Sequence, residues 1–348
     1  MENSKAKNSK DFVFDTQITT HAIRLTGTDA VKMLNDAQLF LDTQMKVYEL
    51  YGLDKLCTLY DVYNIESAVL GQKIIYFKDD FPAVDTSSPI IRDSSDLKMI
   101  KNMDFDNHPR SRFVLDLIGL YQERVKPDFK PRFCAPFSLA VNIRGFENLI
   151  SDIYSDKRFV RELFKRVNYD LIAPWVTLQR SRIKDNSRTA SGQDAWTAIP
   201  NVNVKIMEEV IIPSFKELQD LLGNLYLSML GGARYLKDPT RFLDIQLALN
   251  PVLVKGLDPD TEALGPEFFR DYANKKDIDL LLGIEPNILM DGSLEEIDRR
   301  IKKYIDVGTT VNNNFILYFN DIPADISTGR LQKIFQMVKG YRDIIRQG

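Results

Sequence analysis

The stretch LLLGIEPNILMDGSLEEIDRRIKKYIDVGTTVNNNFILYFN, residues 280–320, reads as a strand, a helix and a second strand. Leu280 to Gly283 is a short apolar run, the length of a buried strand. Residues 294–307 read as a helix whose first turn Ser293 caps, with Glu296 as the reciprocal member of the capping pair. Phe315 to Phe319 is apolar again. Two strands joined through a helix imply a parallel pair with a crossover.

The same unit recurs with variations in both directions. Strands are expected at 193–196, 225–230 and 243–249, and a strand and turn at 132–140. Helices are expected at 111–125 and within 148–175, where Asp156 opens a turn that places Phe159, Leu163 and Val167 on one face. Earlier, Ala30, Met33, Leu34, Ala37, Phe40 and Leu41 recur at helical spacing. LCTLYDVYN (56–64) is expected as a buried strand ending in polar residues. IESAVLG (65–71) follows as a short helix that Gly71 terminates, and KIIYF (73–77) as another strand. No Gly-Ser or Pro-rich linker splits the chain, and no G-x-G-x-x-G follows a strand. The expected fold is α/β, a single (β/α)8 TIM-type barrel spanning 16–348, behind a disordered polar arm at 1–15.

Composition fits that reading. The 348 residues are 44% hydrophobic and 27% charged, with a formal net charge of −3. No long basic run suggests a nucleic-acid surface. No apolar run approaches the roughly 18 residues of a membrane span, and MENSKAKNSKDF carries no apolar signal core; a cytoplasmic protein is expected. Cys57 and Cys134 lie in apolar runs and read as buried free thiols. His21 and His108 are the chain's two histidines. Neither has a second ligand at metal-binding spacing, so no zinc site is expected.

In a barrel of this kind the active site lies at the C-terminal ends of the strands. The polar residues just after each apolar run are therefore the candidates. They are Asp61, Tyr63 and Asn64, then Asp194 and Trp196 in GQDAW, and Asp258 and Asp260 in GLDPD. Glu285 and the pair Asn320 and Asp321 complete the set. Carboxylates there are costly unless paired or used. Asp258 and Asp321 equally suit backbone caps before turns. Asp61 and Asp194, among aromatics at strand ends, are the expected catalytic acids or bases. An Asn in place of Asp61 is expected to remove activity and leave the fold intact.

Several segments resemble the uroporphyrinogen decarboxylase superfamily. In RFCAPFSLAVNIRGFENLISDIYSDKRFVRELF (132–164), an Ala-Pro turn precedes a Leu-Ala helix, followed by an Arg-Gly-Phe-Glu-Asn turn. LYDVYNIESAVLG (59–71) is similar to its strand ending in Asp. GLDPDTEALGPEFFRDYA (256–273), LLGIEPNILMDGSLEEI (281–297) and FILYFNDIPADIS (315–327) match its last third in order. The resemblance implies either of two chemistries at one barrel mouth. One is decarboxylation of a tetrapyrrole, centred on the Asp matching Asp61. The other is methyl transfer to or from a corrinoid protein, the branch that YDVYNIE and LEEIDRRIKKYI look closer to.

Two departures narrow the expectation. The decarboxylases' paired arginines are matched by IRLTGT (23–28), which keeps Arg24 and has Thr28 at the second position, weakening a polycarboxylate substrate. The zinc ligands of the thiol-using methyltransferases are matched by YLSMLGG (226–232) and YFNDIP (318–323), with Asn320 near the late cysteine position. The leading expectation is a corrinoid-linked methyltransferase without zinc. It would move a methyl group between a small methylated compound or carrier and a cobalamin held by a partner protein. Asp61 and Asp194 would be catalytic. Arg24, Tyr63, Asn64, Trp196, Asp258, Glu285 and Asn320 would bind substrate. The alternatives are a decarboxylase of a tetrapyrrole or smaller acid, and a non-catalytic barrel serving as a binding subunit.

Overall fold

The computed structural model describes residues 11–125, 129–184, 189–229 and 231–347. Its strands are β1 (Val13–Thr16), β2 (Ile74–Ile75), β3 (Ala83–Val84), β4 (Arg132–Cys134), β5 (Ala190–Asp194), β6 (Leu225–Met229), β7 (Leu253–Leu257), β8 (Asp279–Ile284) and β9 (Phe315–Phe319). The chain divides into two compact units. One comprises Met1–Leu25, Lys46–Cys57 and Val252–Gly348, the other Thr26–Met45 and Thr58–Pro251.

The first unit is built on a four-stranded parallel sheet in the order β1-β9-β8-β7. β8 is DLLLGI, buried along nearly its whole length, as a strand covered on both faces must be. β9 alternates, with Phe315, Leu317 and Phe319 buried. Phe319 meets Phe14 edge-on at 4.9 Å, and Phe335 of the helix Thr328–Gln347 closes the cluster at 5.3 Å from Phe14. That packing corrects the arm expected at 1–15. Val13 to Asp15 belong to β1, because Phe14 gains more by burial against Phe319 and Phe335 than the chain loses by ordering; residues 1–10 lie outside the described residues.

The second unit holds the parallel sheet β4-β5-β6 and the small antiparallel pair β2-β3. Gly192 sits between Phe133 and Leu227 in register, and a Cβ there would lie 2.8 Å from the Phe133 ring. Only glycine lets the three strands close at this row, two residues before the end of β5.

Three boundaries differ from the sequence reading. Residues 243–249 are not a strand but part of the helix Pro239–Leu249. Its buried residues Phe242, Leu243, Ile245, Gln246 and Leu249 follow a helical period, and Asp238 caps it by accepting from the Thr240 N–H. The strand comes later, as β7. β5 ends at Asp194 rather than running to Trp196, and residues 62–64 form a 3-10 turn after an unladdered segment. Arg132 holds that segment to β4 by donating to the Thr58 carbonyl at 2.8 Å, so a side chain does the work expected of a ladder. The helix Leu294–Gly308, capped by Ser293 accepting from the Glu296 N–H, is as expected.

Candidate active site

Five of the expected site residues fall in the second unit, at the C-terminal ends of its extended segments: Asp61, Tyr63, Asn64, Asp194 and Trp196. Asp194 is the last residue of β5 and is 1% exposed. Its Oδ1 accepts from the Ser138 hydroxyl at 2.5 Å, while its Oδ2 is buried with no partner among the described residues. Burial pushes its proton affinity up to about 7, against the pull of Ser138 and of the backbone N–H groups of Ser138 and Trp196. A carboxyl with that affinity exchanges its proton near neutrality, as a general acid or base must. Trp196 is half-buried, stacks on Phe146 at 5.0 Å and donates its backbone N–H to the Ser138 Oγ at 3.2 Å.

Asp61 is differently placed. Its Oδ1 meets the Arg110 guanidinium at 2.5 Å and its Oδ2 accepts from the Asn64 amide at 3.1 Å. Both partners are buried, and Arg110 also donates to the Leu34 carbonyl and to Asn35. Burial raises the Asp61 proton affinity, and Arg110 opposes it. Asn64 spends its other amide hydrogen on the Pro82 carbonyl at 2.7 Å. Asp61 and Asn64 thus bind each other and the scaffold. Tyr63 is half-buried, and its carbonyl accepts from Asn142 at 2.8 Å.

Four residues that the sequence reading did not select complete this cluster. Glu66 is fully buried, and its Oε1 accepts from the Cys134 N–H at 2.8 Å. Desolvation pushes Glu66 up to about 8. Ser138 and Asn142 lie four residues apart on the helix Pro136–Arg144, and Asn142 reaches the Cys134 thiol at 3.8 Å. Arg110 is the fourth. Ser138 and Asn142 had a legible signal, a polar pair at helical spacing in PFSLAVNIR. Cys57 and Cys134 are buried and free, and burial holds the Cys134 thiol protonated.

Arg24, Asp258, Glu285 and Asn320 belong to the first unit. Arg24 is exposed and pairs with Asp325 at 3.3 Å at the surface. Asp258 ends β7, accepts from the Tyr304 hydroxyl, and meets Arg300 at 2.9 Å. Both its oxygens tie β7 to the helix Leu294–Gly308. Burial nevertheless lifts its proton affinity to about 6. Glu285 and Asn320 are half-buried at the ends of β8 and β9. His21 is buried within the helix Thr19–Thr26 and shares a hydrogen bond with the Tyr51 hydroxyl at 2.8 Å. His108 caps the helix Pro109–Arg124, accepting from the Arg110 N–H at 3.3 Å. Among the described residues, no three His, Cys, Asp or Glu side chains are placed to hold a metal ion.

The two raised carboxyls carry a stability signature. The folded state keeps a proton on Glu66 that the unfolded chain loses above its ordinary value of 4.5, and on Asp194 one lost above 3.8. Stability therefore falls as pH rises from about 4 to about 8, by up to roughly 1.4 kcal/mol per pH unit per group. Glu66→Gln is expected to flatten that slope and melt higher than the native chain at pH 8. Melting curves between pH 5 and 8 check this, and a steeper slope in the variant would contradict it.

Residues 16–174 match the family model described as uroporphyrinogen decarboxylase. No curated protein matches the chain in sequence. Among solved structures, a methyltransferase from Methanosarcina mazei matches with a TM-score of 0.72 at 11% identity, over 97% of this chain and 95% of that one. The fold is that of an α/β (β/α)8-type barrel, and the matched segment, residues 16–174, is similar to the uroporphyrinogen decarboxylase family. Among the described residues, no helix is long and apolar enough to cross a membrane.

Proposed function

We propose that this chain is a corrinoid-linked methyltransferase in which Asp194 is the acid that protonates the group a methyl leaves. The observation that carries the reading is Asp194 itself. It is a buried carboxyl at a strand end, with one oxygen held by Ser138, the other unshared, and a proton affinity near 7. The likeness in fold to a methyltransferase supports the same branch. A corrinoid held by a partner protein would supply the nucleophile that accepts the methyl group. The bond from the methyl carbon to its carrier breaks, the Asp194 proton passes to the departing atom, and the carboxylate left behind regains a proton from water. Asp61 acts through Arg110 as a positioning residue in this reading.

Aromatic residues of the same unit suit contact with a flat macrocycle or its carrier. Tyr235 is 53% exposed, and Tyr63 and Trp196 are half-buried. The decarboxylase reading, which the family match over residues 16–174 also suits, is weakened because three arginines of the chain that could hold substrate carboxylates are engaged. Arg24 pairs with Asp325, Arg110 with Asp61, and Arg132 with Thr58. The test is absorbance spectroscopy with reduced cobalamin and a panel of methyl ethers, alcohols and amines. Growth of the methylated-cobalamin spectrum with one of them is the expected result. No spectral change, together with carbon dioxide release from uroporphyrinogen, would transfer the assignment to decarboxylation.

A further inference from the structure

We propose that Glu66 is a second acid of this site, a neutral carboxylic acid whose Oε2 donates a hydrogen bond to an oxygen of a bound, uncharged substrate. The inference deepens the methyl-transfer reading and rests on it for the word substrate; the binding itself does not. Glu66 stands on the helix Ile65–Leu70 and is 0% exposed. Its Oε1 is taken by the Cys134 N–H, which fixes the side chain and leaves any proton on Oε2. Oε2 is buried and has no partner among the described residues.

Among the described residues, no arginine contact to Glu66 offsets a charge there. Arg110 is spent on Asp61, Asn35 and the Leu34 carbonyl, and Arg132 on Thr58. A carboxylate so placed would be a buried charge without a counter-ion, so the group keeps its proton. The result is a buried O–H donor without an acceptor among the described residues, which folded proteins seldom carry except where a ligand or water completes the bond. A neutral carboxylic acid held ready to donate is a known device for binding substrate oxygen.

Asp194 supplies the second, independent observation. Its Oδ2 is a second buried oxygen with no partner among the described residues, on a residue 1% exposed. Glu66 and Asp194 both lie near the Cys134 thiol, and Asp194 also near the Tyr63 hydroxyl. Asn142 joins the Tyr63 carbonyl to the thiol. The two open oxygens therefore belong to side chains gathered about Cys134, the last residue of β4, and Asp194, the last residue of β5. Two carboxyls that keep their protons offer no counter-charge to an anion and no open carboxylate to a cation. An uncharged oxygen acceptor, such as an ether or an alcohol, matches two proton-bearing carboxyls.

Infrared difference spectroscopy on the full chain at pH 7 tests this, with anisole as the oxygen-acceptor probe and tetramethylammonium as the cation probe. We expect a protonated-carboxyl band that is lost in Glu66→Gln, shifts when anisole binds and does not respond to tetramethylammonium. Glu66→Leu should bind anisole about tenfold more weakly than the native chain, and Glu66→Gln, which keeps a donor, within a few-fold of it. Absence of the band at pH 7, a band unmoved by saturating anisole, or its loss to ionisation with tetramethylammonium would overturn the proposal. If Glu66→Leu fails to fold, the native band and its response still decide. The experiment contains no corrinoid, so a failure of methyl transfer and a failure of oxygen binding are read separately.

Discussion

Asp194→Asn is expected to lower turnover by about 10²–10⁴-fold while leaving the protein folded and no less stable at pH 7 to 8. The amide has nearly the shape of the protonated carboxyl, and its oxygen can still accept from the Ser138 hydroxyl that now lies at 2.5 Å from Oδ1. What it loses is the transferable proton. The sign of the stability effect follows from burial. Because the folded state holds the Asp194 proton up to about pH 7 and the unfolded chain releases it near 3.8, the native residue contributes less stability as pH rises across that interval. The amide does not titrate, so the variant gains on the native chain over the same range. Steady-state kinetics with the methyl donor found by the cobalamin assay, set beside melting curves at pH 5 and 8, measure both effects. A loss of less than about tenfold in turnover would make Asp194 an anchor for Ser138 and the Trp196 backbone, and would remove the acid from the mechanism.

Asp61→Asn is expected to do the opposite, costing about 3–5 kcal/mol of stability. The sequence reading anticipated an active-site carboxylate whose amide would leave the fold intact. The structure instead gives Asp61 a buried arginine as its partner, with side chains 1% and 4% exposed. Replacing the carboxylate leaves the Arg110 charge inside the protein with nothing to balance it, which is why removing one member of a buried pair costs more than the pair contributes. Arg110→Leu should be destabilising to a similar degree, and the double variant Asp61→Leu/Arg110→Leu should recover much of the loss, because no charge then remains buried. Chemical denaturation of the three variants decides the matter. A single Asp61→Asn variant that melts with the native chain would return Asp61 to the list of catalytic residues.

The contrast between these two aspartates shows what one-dimensional reading reaches. Both stand at the ends of extended segments among aromatics, and position alone ranks them equally. Their difference lies in what approaches from elsewhere in the chain. Arg110 comes from 49 residues away to claim Asp61, whereas Ser138, from 56 residues away, takes only one oxygen of Asp194. Arg24 follows from the resemblance of IRLTGT to the decarboxylases' arginine segment, and a surface aspartate holds it. Glu66 was passed over because IESAVLG reads as a short helix with an ordinary glutamate. Its burial depends on the Cys134 backbone lying beside it, which no local pattern encodes.

The sequence by itself determined the alternation of apolar strands and amphipathic helices, the parallel pairing that alternation requires, and several caps, Ser293, Asp156 and Gly71 among them. These are local matters, set by side-chain period and by hydrogen bonds spanning three or four residues. It misplaced 243–249 because LDIQLAL carries both alternation and a helical period, and the cap at Asp238 that resolves the conflict lies outside the apolar run. Tertiary structure alone decided which carboxyls keep a proton and which keep a partner. Proton affinity depends on desolvation and on charges a few ångströms away, and those neighbours are assembled by the folded chain from segments dozens of residues apart.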